Sequence, residues 1–344
     1  MDDVLLKTIC ASYGWTNPKL QIIQSGLINK TWKVATTEGD FILQEINTKV
    51  FTNPITIDIN LQALAEYSTQ YLPNYLFVSP IRSKENKSVY IIDNQYYRAF
   101  YFINKTQSFS TIHSFELAFE AAKQFGYFTY LFKDFHANQL HISIPDFHNL
   151  TLRYAQFKVA LHNGNATRIQ ANSILLDEID SFSSICQRYE LFIQHPDAKK
   201  RVTHHDTKIS NVLFDANNKG VCVIDLDTVM PGYFLSDVGD MIRTYITPVS
   251  EEESDFSKIV IQQDFLQAIK KGYYHYMEVE LTEFEKQHFL FAGEMMIYMQ
   301  AIRFLTDYFN DDKYYKINYP EQNLVRAKNQ MYLLKALKAL PDLA

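Results

Sequence analysis

Val202-Thr203-His204-His205-Asp206-Thr207-Lys208-Ile209-Ser210-Asn211, followed by Val221-Cys222-Val223-Ile224-Asp225-Leu226-Asp227, decides the reading of this 344-residue chain. His204, Asp206, Lys208 and Asn211 stand in fixed order, and a short apolar run delivers Asp225 at the end of an expected strand. The spacing has the form of a phosphoryl-transfer site. An incoming hydroxyl needs a carboxylate to orient it and accept its proton, and Asp206 fits that role. The transferring phosphate needs positive charge, which Lys208 carries on the same loop. Mg²⁺ needs hard oxygen ligands, which Asn211 and Asp225 offer. A lone His-x-Asp would be turn chemistry, because Asp, Asn and His close loops and cap helices. The ordered set favours a site.

Working outward, the first hundred residues read as strands. Leu20–Gln24, Lys30–Thr36 and Asp40–Ile46 are short β-prone runs separated by Ser25-Gly26 and Glu38-Gly39-Asp40. A helix is expected from Pro54 to Tyr71, where Ile57, Leu61, Leu64 and Ala65 recur at helical spacing, and further strands near Ser88–Asp93 and Tyr96–Ile103. The turn Gln24-Ser25-Gly26-Leu27-Ile28-Asn29-Lys30-Thr31 could lie over nucleotide phosphates, with Gly26 permitting close backbone approach. It holds one Gly, not the three of G-x-G-x-x-G, and the chain has no Walker A motif. Gln44 stands on the third strand where a phosphate-binding Lys would be expected. Charge must then come from Lys30 or Lys33, or the load falls on backbone amides and metal.

The polar break Asn104-Lys105-Thr106 is the expected hinge, giving a nucleotide-binding lobe over 1–104 and a catalytic and substrate-binding lobe over 105–344. Beyond it, helical patterns cover His113–Asp134, Thr151–Asn163, Ser173–Phe192, Val238–Tyr245, Asp255–Met277, Thr282–Tyr308 and Glu321–Leu340, with a hairpin of Val212–Phe214 and Val221–Ile224. The expected fold class is α+β: a small strand-rich lobe and a large, mainly helical one.

Composition narrows the partners. With 47% hydrophobic and 21% charged residues the chain is globular, not disordered. A net charge of −6 and the absence of a basic stripe argue against nucleic acid and anionic membranes, despite 23 Tyr and 25 Phe. Cys10, Cys186 and Cys222 are odd in number and widely spaced, which supports neither a disulfide framework nor a zinc site. A reducing cytoplasm is the simplest expectation. The N-terminus lacks signal-peptide character, and no apolar run approaches about 18–20 residues.

His204-His205-Asp206 through Asn211, with Val223-Ile224-Asp225-Leu226-Asp227-Thr228 and Asp237-Val238-Gly239-Asp240, resembles the aminoglycoside phosphotransferase superfamily. The protein-kinase catalytic loop has the same form, but Asp-Phe-Gly and Ala-Pro-Glu are missing. Ile42-Leu43-Gln44-Glu45-Ile46-Asn47, Ile224-Asp225-Leu226-Asp227-Thr228-Val229-Met230-Pro231-Gly232 and Arg303-Phe304-Leu305-Thr306-Asp307-Tyr308 are similar to N-acetylhexosamine 1-kinases, over about Ser25 to Gln330. The resemblance implies a bilobal protein-kinase-like fold that binds ATP, with Asp206 as base, Asn211 and Asp225 as Mg²⁺ ligands, and a sugar held by Arg303 and Tyr314. It places the nucleotide near Gly26, Asn29, Thr31 and Gln44, and finds Gln44 normal for these relatives. Two positions depart from the pattern. Leu27 replaces a sugar-contacting His, and His205 replaces an Asn. Asp237 and Asp240 lie at an expected helix start, Asp237 as a cap and Asp240 with Arg243 as a brace. The expectation is a small-molecule kinase acting on a sugar, most directly the anomeric hydroxyl of an N-acetylhexosamine. The alternatives are a kinase of another alcohol (aminoglycoside, choline or homoserine type) and a catalytically silent nucleotide-binding module.

Overall fold

The computed structural model describes residues 3–23 and 28–340. The chain forms two compact units: Met1–Gln107, Phe135–Pro145 and Leu213–Pro231 make one, and Ser108–Asp134, Asp146–Val212 and Gly232–Ala344 the other. The architecture is α+β, with a strand-rich N-terminal sheet and a helical C-terminal part.

The first unit carries α1 (Asp3–Tyr13), β1 (Lys19–Ile23), β2 (Lys30–Ala35), β3 (Asp40–Glu45), α2 (Pro54–Tyr71), β4 (Tyr90–Ile92) and β5 (Gln95–Tyr101). Its five strands form an antiparallel sheet in the order β1-β2-β3-β5-β4. Successive side chains alternate between faces. One face presents Trp32, Val34, Phe41, Leu43, Tyr97 and Ala99, and α1 covers it with Leu6, Ile9 and Cys10. Helix α1 was not foreseen, because its few apolar positions make sense only against that sheet. The alternate positions Thr31, Gln44 and Arg98 are direct cross-strand neighbours on β2, β3 and β5. Helix α2 runs over the expected residues, with Pro54 in its first turn. Its buried Asn60 gathers the later segments of the unit. The Asn60 amide donates to the carbonyls of His141 at 2.8 Å and Val229 at 3.1 Å, and its Oδ1 accepts the His141 N–H at 2.8 Å. The hairpin of Val212–Phe214 and Gly220–Val223 is closed by Asp215, whose Oδ1 accepts the N–H groups of Asn217 and Lys219.

The second unit is built on helix pairs that approach through glycine. A Cβ at Gly126, on the helix Phe115–Leu131, would meet the Tyr273 carbonyl oxygen at 2.7 Å. One at Gly272, on the helix Gln263–Met277, would meet the Phe119 carbonyl oxygen at 2.4 Å. The helices Phe234–Tyr245 and Phe289–Phe309 repeat the arrangement, with Gly239 on Ala292 and Gly293 on Ile242.

Three expected helices differ. Ser173–Phe192 is two helices, Ser173–Ser181 and Ser184–Gln194. Thr282–Tyr308 is broken after Gln287; Glu285 closes a capping box with Thr282 at the start of the short first helix and forms a bidentate pair with Arg201 at 2.7 and 2.8 Å. The expected Asp255–Met277 begins only at Gln263, after a short 3₁₀ turn at Phe256–Lys258. Cys10, Cys186 and Cys222 are free and buried. Burial pushes the Cys10 thiol up to about 11 and those of Cys186 and Cys222 up to about 12. Among the described residues, no helix is long and apolar enough to cross a membrane.

Candidate active site

In the second unit, the strand Lys200–Thr203 leads directly into the loop carrying Asp206. Two carboxylates three residues apart on the helix Phe234–Tyr245 organise this loop. Such spacing puts them on one helical face. Asp237 accepts the His204 N–H at 3.1 Å and the His205 N–H at 2.7 Å, one on each oxygen. Asp240 accepts the Thr207 N–H at 2.9 Å on Oδ2, while its Oδ1 takes Arg243 at 2.9 Å. Arg243 is held in turn by Glu251 at 2.7 Å. Three loop amides thus point at Asp237 and Asp240, with Asp206 between them in sequence. Asp237 is not the helix cap the sequence suggested, since it caps the loop instead. Burial raises its carboxyl to about 7, and the two N–H groups oppose that rise. Burial also raises Asp240, against the pull of Arg243.

Asp206 lies against Lys208 and Asn211. Lys208 Nζ lies 3.1 Å from its Oδ2. The Asn211 amide donates to the Asp206 carbonyl at 2.9 Å and to its Oδ2 at 3.1 Å. His204 Nδ1 accepts the Asp206 N–H at 3.3 Å, and its ring packs edge-on against Phe125, so it braces the loop. His205 has φ of 67°, in the left-handed region, and its Nδ1–H donates to the Thr203 carbonyl. A Cβ at Gly232 would stand 2.4 Å from His205 Nε2, so only glycine fits that place in the Thr228-Val229-Met230-Pro231-Gly232 string.

Ring contacts run from this loop to Arg303. His205 faces His148 at 5.6 Å between centroids, and His148 stacks on Phe147 at 4.3 Å. The Arg303 guanidinium lies 6.0 Å from the Phe147 ring and 5.7 Å from that of Tyr315. Arg153 donates to the Asp146 carbonyl next to Phe147 at 3.0 Å. Among the described residues neither Arg153 nor Arg303 forms an ion pair, and His148 Nδ1, Arg153 Nε and Tyr315 OH are buried without partners. The cluster is rich in donors and positive charge. Tyr314, the residue singled out in the sequence, is 69% exposed, whereas its neighbour Tyr315 lies against Arg303. Asp307 accepts the Tyr314 N–H at 2.8 Å and the Tyr315 N–H at 2.9 Å, which ties this segment to the helix carrying Arg303.

In the first unit, the residues expected on the nucleotide side join one network. Asn29 donates to Asp227 at 2.8 Å, and its Oδ1 accepts the Asn47 N–H at 3.0 Å. Gln44 donates to Thr31 at 3.3 Å, and its Oε1 accepts from Arg98 at 2.9 and 3.1 Å. Arg98 closes on Asp227 at 2.6 Å, with both side chains only 2% exposed. Asp225, two residues earlier, holds φ of 60°, a conformation Asp tolerates better than most residues. Lys30 and Lys33 pair with Glu45 and Asp40, both at 2.8 Å. Gly26 and Leu27 lie outside the described residues. Arg98 was missed in the sequence. Its signal was a lone cation in Tyr96-Tyr97-Arg98-Ala99-Phe100, alternating with core positions.

Asn211 and Asp225 each carry a hard oxygen donor of the type Mg²⁺ takes. Among the described residues, no group of three or more His, Cys, Asp or Glu side chains is placed to hold a metal ion.

Residues 135–256 match a family described as the phosphotransferase enzyme family. The fold is shared with a spectinomycin phosphotransferase solved with ADP and spectinomycin, at TM-score 0.63 and 15% identity, covering 98% of each chain. It is also shared with a microcompartment-associated aminopropanol kinase, at TM-score 0.64 and 13% identity, covering 98% of this chain and 97% of that one. A Plasmodium vivax ethanolamine kinase matches at TM-score 0.55 and 12% identity, over 91% of this chain and 82% of its own. At these identities the likeness is one of fold, a protein-kinase-like fold of the aminoglycoside phosphotransferase kind. The family match covers about a third of the chain, residues 135–256.

Proposed function

We propose that the chain is an ATP- and Mg²⁺-dependent small-molecule kinase, and that its acceptor is a sugar hydroxyl, the anomeric hydroxyl of an N-acetylhexosamine first. The observation that carries this reading is Asp206 in contact with Lys208 and Asn211, on a loop whose amides are fixed by Asp237 and Asp240. Asp206 orients the acceptor hydroxyl and takes its proton as that oxygen forms its bond to the γ-phosphorus. The bond from the γ-phosphorus to the bridging oxygen breaks, and ADP leaves. Lys208 offsets the developing charge. Bound ATP supplies the phosphoryl group and Mg²⁺ neutralises it, with Asn211 and Asp225 as the protein's ligands. The Asn211 nitrogen is committed to Asp206, and its Oδ1 is the atom that would hold the cation. In this reading Gly26, Asn29, Thr31 and Gln44 would take the nucleotide, with residues 1–104 as the nucleotide lobe and 105–344 as the catalytic lobe.

The cluster of Arg153, Arg303, His148 and Tyr315 supports an acceptor rich in oxygen over a cationic amine. Positive charge repels polyamines, whereas guanidinium and phenol donate well to sugar oxygens. The test is Mg-ATP-dependent ADP release over N-acetylglucosamine, N-acetylgalactosamine, plain hexoses, choline, homoserine and kanamycin, with Asp206→Ala as control. Turnover on an N-acetylhexosamine that the mutant loses supports the sugar reading. Turnover only on another alcohol moves the acceptor and keeps the chemistry. ATP binding with no turnover on any acceptor would leave a silent nucleotide-binding module.

A further inference from the structure

We infer that Arg98 is a positioning residue: it holds the turn after Asp225 through Asp227, and so sets metal-nucleotide affinity without touching phosphate. This rests on the kinase reading above. The expected strand cation is absent from β3, where Gln44 stands. The structure places a guanidinium on β5, directly opposite Gln44 in register. It is not open to a ligand, being 2% exposed, with Nε and one terminal nitrogen donating to Gln44 and that terminal nitrogen also meeting both oxygens of Asp227, at 2.6 and 2.7 Å. Asp227 receives a further hydrogen bond from Asn29 at 2.8 Å, and Asn29 in turn fixes the Asn47 amide.

A buried carboxylate engaged through three contacts by two donor groups, Arg98 and Asn29, cannot move without breaking charge-assisted bonds in a region of low dielectric. The short 3₁₀ turn Leu226–Thr228 contains this carboxylate and follows Asp225 directly. The left-handed backbone at Asp225 is therefore pinned from its C-terminal side by the sheet. Thr31, Gln44, Arg98 and Asp227 form one line from β2 to the turn, so the residues of the sheet's polar face and the metal ligand share a single support. Outer residues that orient a ligand typically change metal affinity by about 10–100-fold when removed.

The experiment compares wild type with Arg98→Met, Arg98→Lys, Asp227→Asn and the double variant Arg98→Met/Asp227→Leu. Thermal melting and circular dichroism verify folding. Mn²⁺ binding in the presence of ADP is followed by the electron-spin-resonance signal of free Mn²⁺, and ADP binding without metal by calorimetry. In Arg98→Met the Mn²⁺·ADP affinity should fall about 10–100-fold, with metal-free ADP affinity little changed. In turnover assays the Mg²⁺ activation constant should rise while the acceptor KM stays constant. If Arg98→Met does not fold, Arg98→Lys and the double variant, which leaves no unpaired buried charge, carry the test and should show the same selective loss. Folded variants that bind Mn²⁺·ADP like wild type would overturn the inference. An equal loss of metal-free ADP binding would also overturn it, by making Arg98 a direct nucleotide contact. Failure of wild type itself to bind Mn²⁺·ADP would instead sink the kinase reading.

Discussion

At the scale of single residues, Asp206 is the sharpest point of the molecule. Under the kinase reading, Asp206→Ala should lower turnover by about 10²–10⁴-fold, from lost positioning and proton acceptance, while ADP binding measured by calorimetry stays near wild type. A second residue-level outcome concerns pH. His148 is held well below its usual value by burial first, then by His205, Arg303, Arg243 and Arg153. The folded protein therefore binds fewer protons at this site than the unfolded chain. Its contribution to stability is full above the unfolded value of about 6.5 and is lost as pH falls below it. His148→Gln should flatten the drop in melting temperature between about pH 7 and pH 5.5, compared with wild type. The residues around Asp206 were legible because loop chemistry is local, with all its parts within a few positions. Arg98 and the loop-capping role of Asp237 were not, because each acts on a partner far away in sequence, 129 positions for Arg98 and 32 for Asp237.

At the scale of elements, glycine decides the packing. Gly239 lies between Asp237 and Asp240 and rests on Ala292, where a Cβ would come within 2.4 Å of the carbonyl oxygen. Gly239→Ala should destabilise the protein by about 1–3 kcal/mol through overpacking, read as a lower denaturant midpoint. Under the kinase reading it should also reduce turnover, because a shift of this helix moves both carboxylates that hold the loop of Asp206. The strands were legible from β-prone runs and turn residues, and α2 from its helical spacing. The breaks at Phe182-Ser183 and His288 were not, because the apolar pattern runs on through both. Glu285, which sets the start of the short helix, is committed to Arg201, a contact 84 positions away.

For the whole molecule, ligand binding and folding are linked. Under the kinase reading, Mg-ADP at 100 times its dissociation constant should add about 2.7 kcal/mol to stability, raising the melting temperature by several degrees. Asp225→Ala should abolish most of that rise, and an unchanged rise would remove Asp225 from the metal site. The fold class was readable as soon as the catalytic loop was placed after a strand-rich first hundred residues. Phe135–Pro145 and Leu213–Pro231 belong to the same compact unit as the N-terminal residues despite their position in sequence. Asn60, one side chain on α2, gathers both segments, and no local pattern announces such a residue.

The three enclosed thiols make the native protein a blank for sulfhydryl reagents. Cys10, Cys186 and Cys222 are buried and held in the thiol form, so thiolate-seeking dyes should find nothing to react with until the chain unfolds. A single cysteine introduced at exposed Tyr314 would then be the one addressable position. Under the kinase reading, a fluorophore there would report acceptor binding beside Arg303 with no prior removal of native cysteines.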